Sequence, residues 1–527
     1  MTGGGSGGDA GPGDGQGDAG AGGDEGPIST PVMPILEEDG FYPRAIELAD
    51  GTVIAAIVAP QPSGRLGGTI LESLDGGVTF ETVGRIDGDL SLGGLCCATI
   101  YQLPHALGAL PAGALLWSAS VGGDDQGAAM SIPVFASTDV GRTWTYLSTV
   151  VTAGVPRSQG GLWEPEFSQL DDGSLVCHYS DETDPAHSQK LVARRSTDGV
   201  SWPEQRDIVS MAPSGARPGM PVVRRGDGGV FALSFEICGT DGCAAHLRFS
   251  NDGWSWGNAG DAGLRPHTLD GKHFRHAPTM TWIPQPGAGR YYMIGQMLYD
   301  GGGGVTGGNG SVILASSEGG AGNWYEIAAP VPVPEAYDNF CPNYSSTVLP
   351  LEGGRVALEV ASKWDGARCR SYYARGPLRG TDDAAGLTDG ASYVLRALNS
   401  GFCVDVENGS TAAGAEIRQW DCNGSAAQHF RIEAQGHGRW LLVNDGSGLC
   451  ASAVSAAGPG VDVRQEACDG ATTTRWLIEN VGMGYYRVRD AEGAVCLDVA
   501  GGSADMGANI QQWTCNDLAP QIFRFDN

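Results

Sequence analysis

The stretch GLWEPEF, residues 161–167, holds two carboxylates, Glu164 and Glu166, which are separated by a proline and flanked by large aromatic side chains. Acidic side chains are seldom placed in apolar surroundings without a partner or a chemical role. Residues two apart in a strand share a face, so we expect both glutamates to point the same way. Carboxylates in such a setting suit the hydrolysis of a glycosidic bond, which generally needs two of them.

A further carboxylate, Glu236, is the single charge in GGVFALSFEICG, residues 228–239. A glutamate that reaches solvent from a strand end is the ordinary interpretation. Here the strand continues into a cysteine pair, Cys238 and Cys243, and a bridge between them would fix the strand end as an active site requires. Glu236 and one of the two glutamates of WEPEF therefore form the candidate catalytic pair.

The segment that must position these residues, about 32–378, consists of short strands separated by turns and shows no helical period. One turn recurs, with Ser-x-Asp, then Gly, then Thr or Ser and an aromatic, at SLDGGVTF (73–80), STDVGRTW (137–144), STDGVSW (196–202) and SNDGWSW (250–256). A degenerate copy of the turn starts at Ser316. Turns that recur at this spacing predict a stack of four-stranded propeller blades. The segment 32–378 is long enough for six of them. A β-sandwich with similar turns is the less favoured alternative.

The recurring turn is similar to the Asp box of the sialidase-like superfamily. Its Asp can accept hydrogen bonds from the turn backbone, its Gly can take a positive φ, and its aromatic can anchor the hairpin. Asp boxes are structural, so this resemblance implies the propeller fold and leaves the function open.

After a predicted linker, residues 379–390, the pattern changes to three copies of one unit, at 401–432, 448–478 and 494–525. Each copy carries a cysteine pair at a near-constant separation, which favours disulfides within the copies and an oxidising compartment. The pairs are Cys403/Cys422, Cys450/Cys468 and Cys496/Cys515. Segment 391–527 closely resembles the ricin-B-type β-trefoil lectin domains. Partners for Cys96, Cys97, Cys177, Cys341 and Cys369 cannot be assigned from the sequence.

In that lectin family a sugar lies on an aromatic ring while an Asp and a Gln bind its hydroxyl groups. The resemblance implies sugar-binding roles in repeats one and three for Asp405, Trp420, Gln428, Asp498, Gln511, Trp513 and Gln521. Repeat one has Arg418 where the family usually has Gln, so a core role for its Trp is an equal alternative. Repeat three has Pro520 for the customary Asn. Repeat two has Ser452 for the Asp and Glu466 for the Trp, so we expect no sugar binding there.

The order of FYPRAIEL, GLWEPEF, FALSFE, RHAPTM and NYSSTVLPL along a six-bladed Asp-box propeller resembles the retaining exo-α-1,5-L-arabinanases of glycoside hydrolase family 93, over roughly residues 38–365. The resemblance implies that Glu164 is the general acid/base and Glu236 the nucleophile. It implies substrate-binding roles for Arg44, Trp163, Glu166, His276, Asn343 and Tyr344. The ordinary alternatives are a salt bridge for Arg44, a loop histidine for His276 and a core tyrosine for Tyr344.

Bulk properties limit the partners. The 527 residues imply two or three domains, and 61 acidic against 32 basic residues give a net charge of −29, which disfavours nucleic acid and anionic membranes. No apolar run could span a bilayer, and no cluster of ligands at metal-binding spacing predicts a metal or cofactor. Residues 1–31, rich in Gly and Asp, predict a disordered tether without an export signal.

The sequence thus predicts an all-β, monomeric, secreted or surface-tethered protein: a six-bladed propeller at 32–378 followed by a β-trefoil at 391–527. Its predicted activity is exo-cleavage of arabinan or another plant polysaccharide. A sialidase would use Tyr344 with Glu236 and three arginines; Arg44 and Arg275 could serve as two, but residues 291–354 contain neither Arg nor Lys. A glycan-binding adhesin without catalysis is the third alternative.

Overall fold

The computed structural model describes residues 27–87, 94–284, 290–316, 319–378, 384, 386–436, 438–453, 458–490, 495–516 and 518–527. Most of the predicted tether at 1–31 and part of the predicted linker at 379–390 lie outside these residues, as does part of the degenerate turn after Ser316. The described residues form an all-β protein, and none of them belongs to a helix long and apolar enough to cross a membrane.

The first segment contains strands β1 Met33–Pro34, β2 Phe41–Glu47, β3 Val53–Pro60, β4 Leu66–Ser73, β5 Glu81–Ile86, β6 Cys96–Gln102, β7 Leu115–Ser120, β8 Ser131–Ser137, β9 Thr145–Thr152, β10 Leu162–Gln169, β11 Leu175–Asp181, β12 Lys190–Ser196, β13 Glu204–Val209, β14 Arg217–Arg225, β15 Phe231–Cys238, β16 Ala244–Ser250, β17 His273–Arg275, β18 Thr279–Ile283, β19 Arg290–Ile294, β20 Met297–Tyr299, β21 Val312–Ser316, β22 Trp324–Ala328, β23 Thr347–Leu351, β24 Val356–Trp364 and β25 Cys369–Pro377. Three short 3-10 helices lie between them, at Arg157–Gln159, Asp227–Gly229 and Glu352–Gly354.

These strands form six antiparallel sheets, the blades of a propeller. Blade one is β2–β5, blade two β6–β9, blade three β10–β13, blade four β14–β17 with β20, blade five β18, β19, β21 and β22, and blade six β23–β25 with β1. The first strands of successive blades are neighbours all the way round, and β2 of blade one lies beside β23 of blade six. Strand β1 pairs with β25 (Met33 opposite Tyr373), so the start of the chain completes the last blade and closes the ring. The predicted six-bladed propeller is confirmed.

Each recurring Asp turn joins the third strand of a blade to its outer edge. In blade two, the Asp139 carboxylate accepts hydrogen bonds from Ser137 Oγ at 2.8 Å and from the backbone N and Oγ1 of Thr143 at 2.9 and 2.6 Å. In blade four, Asp252 accepts from Ser250 Oγ and from two turn amides. These donors stabilise the ionised carboxylates and lower the pKa of Asp139 and of Asp252 to about 2.

A second repeat lies on the inner strands. In blades one to four the first strand carries a bulge whose extra residue has a positive φ, and these residues are Tyr42, Cys97, Glu164 and Met220. Ala277 and Ser345, two residues before the first aligned residue of blades five and six, have positive φ as well. A non-glycine residue is rarely held in this conformation, and such residues cluster at functional sites. The repeat places six unusual positions at corresponding points round the ring.

The second segment is one twelve-stranded sheet system. Its strands are β26 Ser392–Ala397, β27 Cys403–Val406, β28 Ile417–Trp420, β29 His429–Ala434, β30 Arg439–Asn444, β31 Cys450–Ala453, β32 Val461–Glu466, β33 Trp476–Gly482, β34 Tyr485–Asp490, β35 Val495–Val499, β36 Ile510–Thr514 and β37 Ile522–Asp526. Five 3-10 helices lie at Glu407–Gly409, Ala426–Gln428, Thr472–Thr474, Ala500–Gly502 and Ala519–Gln521. The threefold repetition of these elements is that of the predicted β-trefoil.

Six disulfides join cysteines of the described residues. Four have the expected pairings, Cys238–Cys243, Cys403–Cys422, Cys450–Cys468 and Cys496–Cys515. The structure adds two that the sequence left open, Cys341–Cys369 and a bridge between the adjacent residues Cys96 and Cys97. Cys177 is a buried free thiol.

The propeller and the trefoil share one apolar cluster. From blade five and its surroundings come Ile283, Ile327 and Ala329, and from the second segment Leu398, Val481, Tyr485 and Ile522, all buried. The rings of Tyr325 and Tyr485 lie 5.4 Å apart, and Asn323 Nδ2 donates to the Leu398 carbonyl at 2.9 Å. Apolar packing of this kind fixes one domain on the other.

Candidate active site

Glu164 lies on the bulge of β10, the inner strand of blade three, with φ 59°. Its backbone N–H donates to Ser120 Oγ at 3.1 Å. Its Oε2 accepts from Ser180 Oγ at 2.5 Å and from the Met220 backbone N–H at 2.7 Å. The carboxyl group is therefore held by two blades, since Ser180 belongs to blade three and Met220 to blade four.

Glu236 lies on β15, the second strand of blade four, directly opposite Gly219 of β14. Its Oε2 accepts a 2.6 Å hydrogen bond from the Ala277 backbone N–H, at the positive-φ position of blade five. The Cys238–Cys243 bridge follows at the strand end, with Cys238 Sγ 3.4 Å from Oε1 of Glu236. Because Gly219 pairs with Glu236 and the next residue, Met220, binds Glu164, the two carboxyl groups flank one short stretch of β14.

Burial is the main influence on both groups. Burial, together with the nearby charge of Glu164 and against the Ala277 hydrogen bond, raises the pKa of Glu236 to about 8. Burial raises the pKa of Glu164 as well, while the bonds from Ser180 and Met220 oppose the rise. Two carboxyl groups that repel each other in a desolvated site tend to hold one proton between them at neutral pH.

The prediction that Glu164 and Glu166 point to the same face of the strand is wrong. The bulge between Trp163 and Glu166 breaks the alternation of side chains between the two faces. Glu166 is buried and accepts from Thr99 Oγ1 at 2.8 Å and from Arg224 at 2.5 Å, whereas Glu164 has other partners. Because Glu166 is buried and bonded to both partners, we interpret its contact with Arg224 as a structural ion pair.

Two other predicted substrate-binding residues also form hydrogen bonds within the protein. Arg44 is buried and donates to the carbonyl and hydroxyl of Ser345 at 3.0 and 2.9 Å. Asn343, 1% exposed, donates to two carbonyls of the 295–296 backbone and accepts from Ser346. Both side chains therefore join blade six to its neighbours.

Trp163, His276 and Tyr344 do lie round the carboxyl pair. Trp163 precedes Glu164, and its Nε1 donates to Glu182 at 2.9 Å. His276 precedes Ala277, and its Nδ1 is 3.7 Å from Asp338; burial lowers the pKa of His276. Burial and the charge of Glu236 raise the pKa of Tyr344, so its hydroxyl stays protonated.

Sequence reasoning missed Tyr42 and Met220. The Tyr42 hydroxyl donates to Met220 Sδ at 3.2 Å, and that of Tyr344 lies 3.9 Å from the same sulfur. Because blades one and four are opposite each other, Tyr42 and Met220 meet near the propeller axis. A sequence signal for them was present, because Tyr42, Glu164 and Met220 on inner strands, and Ala277 just before one, each stand directly before a proline. Ser180, Glu182 and Asp338 had no such signal.

Among the described residues, the cluster of potential metal ligands does not support a metal site. Cys238, Cys243 and His276 come close enough to share an ion, but the two cysteines are bonded to each other. A disulfide sulfur is not a thiolate ligand.

In the trefoil, repeats one and three differ. In repeat three, Asp498 accepts from Gln511 Nε2 at 2.9 Å and from Gln521 Nε2 at 3.2 Å, and Trp513 is 44% exposed beside them. This arrangement leaves a ring face open next to oriented polar groups, as sugar sites require. Burial raises the pKa of Asp498.

In repeat one, Asp405 accepts from Gln428 Nε2 at 3.1 Å, as its counterpart does. Here the Arg418 guanidinium lies 4.0 Å from the centre of the Trp420 ring and also donates to Glu407 at 3.1 Å. One face of the expected stacking ring is thus covered by a side chain of the protein itself. In repeat two Ser452 is buried and its hydroxyl donates to a carbonyl.

Comparison with known proteins agrees with both halves of this description. Residues 384–456 and 435–513 match the family model described as ricin-type beta-trefoil lectin domain-like. No curated protein matches the chain in sequence. The structure is similar to that of a GH93 α-L-arabinofuranosidase of Fusarium graminearum in complex with arabinobiose (23% identity, TM-score 0.57) and to that of an α-L-arabinanase of Penicillium chrysogenum complexed with arabinobiose (24% identity, TM-score 0.56).

Each of these two matches covers 67% of this chain and 99% of the other, so the likeness includes essentially the whole of each fungal structure. The chain therefore joins a six-bladed propeller with the fold of GH93 arabinose-acting glycoside hydrolases to a C-terminal ricin-type β-trefoil lectin domain.

Proposed function

We propose that this protein is a retaining, exo-acting glycoside hydrolase that cleaves α-1,5-linked L-arabinan and releases arabinobiose or short arabino-oligosaccharides. The observation that carries the proposal is the buried pair Glu164 and Glu236, of which Glu164 accepts a hydrogen bond from Met220 and Glu236 pairs with the preceding Gly219. Glycoside hydrolysis needs two such carboxyl groups in unlike protonation states. The likeness to two structures that contain arabinobiose supports the choice of sugar.

In the proposed first step, Glu164 protonates the leaving oxygen while a carboxylate oxygen of Glu236 attacks the anomeric carbon. The glycosidic bond breaks, the shortened polysaccharide leaves as an alcohol, and the sugar is held as an ester of Glu236. In the second step Glu164 takes a proton from water, whose oxygen displaces Glu236 from the anomeric carbon. Two inversions at one carbon give net retention.

The distribution of donors explains how one shared proton could serve this reaction. Glu164 receives two hydrogen bonds and Glu236 one, so in the empty site the proton favours Glu236. Positive charge that develops at the anomeric carbon would stabilise ionised Glu236, and a glycosidic oxygen beside Glu164 would accept the proton. The substrate itself thus favours the protonation state that cleavage requires.

Two arginines that a sialidase would need for its clamp have other contacts in the described residues. Arg44 is committed to Ser345, and the Arg275 guanidinium lies 4.0 Å from the ring centre of Tyr299. The charge of Glu236 acts on Tyr344, and a sialidase would also place these two groups close together.

We assign the trefoil a targeting role, in which repeat three holds the enzyme on a plant polysaccharide and raises the local substrate concentration. Six disulfides fit a secreted or surface-tethered protein.

The proposal is tested by incubating the protein with linear 1,5-arabinan and, separately, with a sialoside, and by following product configuration by NMR. We expect arabinobiose or short oligosaccharides that first appear as the α-anomer. Azide should then separate the two roles. With a substrate that has a good leaving group, Glu164→Ala should give a glycosyl azide of retained configuration, and Glu236→Ala one of inverted configuration.

Exchanged azide configurations would reverse the two assignments. Cleavage of the sialoside alone would contradict the arabinanase proposal, and binding of glycans without any hydrolysis would favour the adhesin. Glu204→Gln, on β13 at the outer edge of blade three, is the matched control and should keep full activity.

A further inference from the structure

One pocket in the propeller lies apart from the carboxyl pair. Its volume is about 290 Å³, close to the lower end of the range for small-molecule sites, about 300–1,000 Å³. Residues of the inner strands of blades one to four form most of its wall, and they include Ile46, Tyr101, Glu166, Ser168, Arg224 and Arg225. Neither Glu164 nor Glu236 lines this pocket.

The spacing along the inner strands places the pocket further along the propeller axis than the carboxyl pair. Four lining residues each stand four positions after the positive-φ residue of their strand, namely Ile46, Tyr101, Ser168 and Arg224. Four residues of extended chain span about 13 Å. Between the two levels, Glu166 accepts hydrogen bonds from Thr99 and Arg224. A layer of bonded side chains therefore separates the pocket from the reacting groups.

Two hydroxyl groups in the wall can donate hydrogen bonds. Ser168 is 5% exposed, and its Oγ has no hydrogen-bond partner within the part of the chain that the structure describes. A buried polar group without a partner costs free energy, which a bound acceptor would recover. The Tyr101 oxygen accepts from the Gln169 N–H at 2.9 Å and keeps its own hydrogen to donate, since burial raises the pKa of Tyr101 to about 12.

Two guanidinium groups add positive charge. Arg224 donates to Glu166 and to the Val223 carbonyl through Nη1, one of the three nitrogens of its guanidinium. Arg225 contacts Asp171, but the Asp171 side chain is 69% exposed, so water weakens this pair. Among the described residues, the lining thus holds two arginines against one carboxylate, in a chain whose net charge is −29. A ligand that carries negative charge fits this local excess.

Much of the remaining wall is apolar and comes from Ile46, Ile100, Phe167, Val223 and Phe231. The Arg225 guanidinium lies 5.4 Å from the centre of the Phe231 ring, so positive charge and apolar surface meet there. An inorganic anion would use the donors and leave the apolar surface exposed to water, whereas a carboxylate on a hydrocarbon ring would cover it. The lining therefore favours an organic anion.

We propose that this pocket binds a small monocarboxylate with an apolar ring, whose carboxylate is held by Arg224, Arg225 and the Ser168 hydroxyl. The ring lies against the isoleucine and phenylalanine side chains of the wall. The inference does not depend on the proposed function, because the pocket and the carboxyl pair share no residue.

The test adds benzoate to the full chain labelled at the isoleucine methyl groups and follows their NMR signals. Ile46 and Ile100 line the pocket, while Ile327, in the cluster shared with the trefoil, supplies a distant reference. We expect saturable shifts of Ile46 and Ile100 and no shift of Ile327. Benzamide has the same ring without the charge and should bind at least about tenfold more weakly than benzoate.

Two variants examine the donors. Arg225→Gln should weaken benzoate binding at least about tenfold, and Ser168→Ala between about threefold and tenfold. Arg142→Gln removes another exposed arginine that pairs with a carboxylate, that of Glu72, and Ser234→Ala removes another buried hydroxyl without a partner among the described residues. Neither control residue lines the pocket, so neither variant should change the affinity.

Shifts of Ile46 and Ile100 that are absent or do not saturate would overturn the site. Equal affinity for benzoate and benzamide would overturn the recognition of charge, and displacement of benzoate by an equal concentration of inorganic phosphate would overturn the need for a ring. Ser168→Ala decides the role of the donors if Arg225→Gln misfolds, because it breaks no hydrogen bond among the described residues. Full affinity in that variant would contradict the proposed contact.

Discussion

The propeller carries two sets of carboxyl groups whose pKa values shift in opposite directions. Near the axis, burial raises the pKa of Glu164 and Glu236. In the turns at the outer edges of the blades, hydrogen bonds from the turn lower the pKa of Asp139 and Asp252 to about 2. The turn aspartates are satisfied by their own backbone within four residues, whereas the inner glutamates depend on neighbouring blades. The two sets therefore differ in what holds the carboxyl group: donors of the same turn for the aspartates, and neighbouring blades for the inner glutamates.

The largest effect should follow from neutralising the inner pair. Glu236→Gln and Glu164→Gln should each lower kcat/KM on arabinan by at least about 10³-fold, because each removes a group that the proposed mechanism needs. Thermal unfolding should show that both variants still fold. If Asp139→Asn lowered kcat/KM as much, the division between the two sets would fail.

The second prediction concerns stability and pH. The pKa of Glu236 is about 8 in the folded protein and would be near its ordinary value, 4.5, in the unfolded chain. The folded state therefore binds the proton more tightly, so the stabilisation is complete below pH 4.5 and is lost as the pH rises towards 8. Urea unfolding at several pH values should show this loss in wild type and less of it in Glu236→Gln.

A buried glutamate outside the site supplies the control for that experiment. Glu359 of β24 accepts one hydrogen bond, from the Val331 N–H at 2.7 Å, and burial raises its pKa to about 8 as well. Glu359→Gln should remove a similar part of the pH dependence while leaving arabinan hydrolysis intact. A stability that does not change between pH 4.5 and 8 in wild type would contradict both expectations.

The pH dependence of stability should have the opposite sign for the turn aspartates. Asp139→Ala removes three hydrogen bonds and should lower the free energy of unfolding by about 1–2 kcal/mol, with activity unchanged. Because the folded pKa lies below the ordinary 3.8, the stabilisation is present above that pH and is lost as the pH falls towards 2. Acid unfolding followed by fluorescence would check this, with Glu204→Gln as the control.

The smallest effect tests the coupling inside the pair. The charge of Glu164 raises the pKa of Glu236, so Glu164→Gln should lower it. NMR titration with labelled glutamate would follow that shift. A pKa of Glu236 that stays the same or rises in this variant would mean that burial alone sets it.

Much of the fold could be read from spacing. The Asp turns recur because each ends the third strand of a blade, and the cysteine pairs recur because each lies within one trefoil repeat. The choice of Glu164 over Glu166 came from the family resemblance carried by Trp-Glu-Pro and remains a prediction. Local periodicity failed at Glu166, since a bulge is a property of two paired strands and strand alternation does not reveal it.

The contacts of the remaining site residues could not be predicted from the sequence for a related reason. Arg44 and Asn343 were predicted to contact the substrate, but both form hydrogen bonds with residues far away in the sequence. Tyr42 and Met220 meet only because the ring closes, so no single strand predicts their contact. A proline follows the positive-φ residue in three inner strands and just before a fourth, and a comparison of the blades could have used that pattern.

The apolar cluster shared by blade five and the trefoil has a consequence for how the molecule can be divided. Ile327 and Ala329 are buried in it beside Val481 and Ile522. A protease that cut the chain between residues 378 and 391 would leave two pieces still held together, and a propeller produced alone would expose this cluster to water. The trefoil is thus a structural partner of the propeller, and swapping it for another domain would require redesign of blade five.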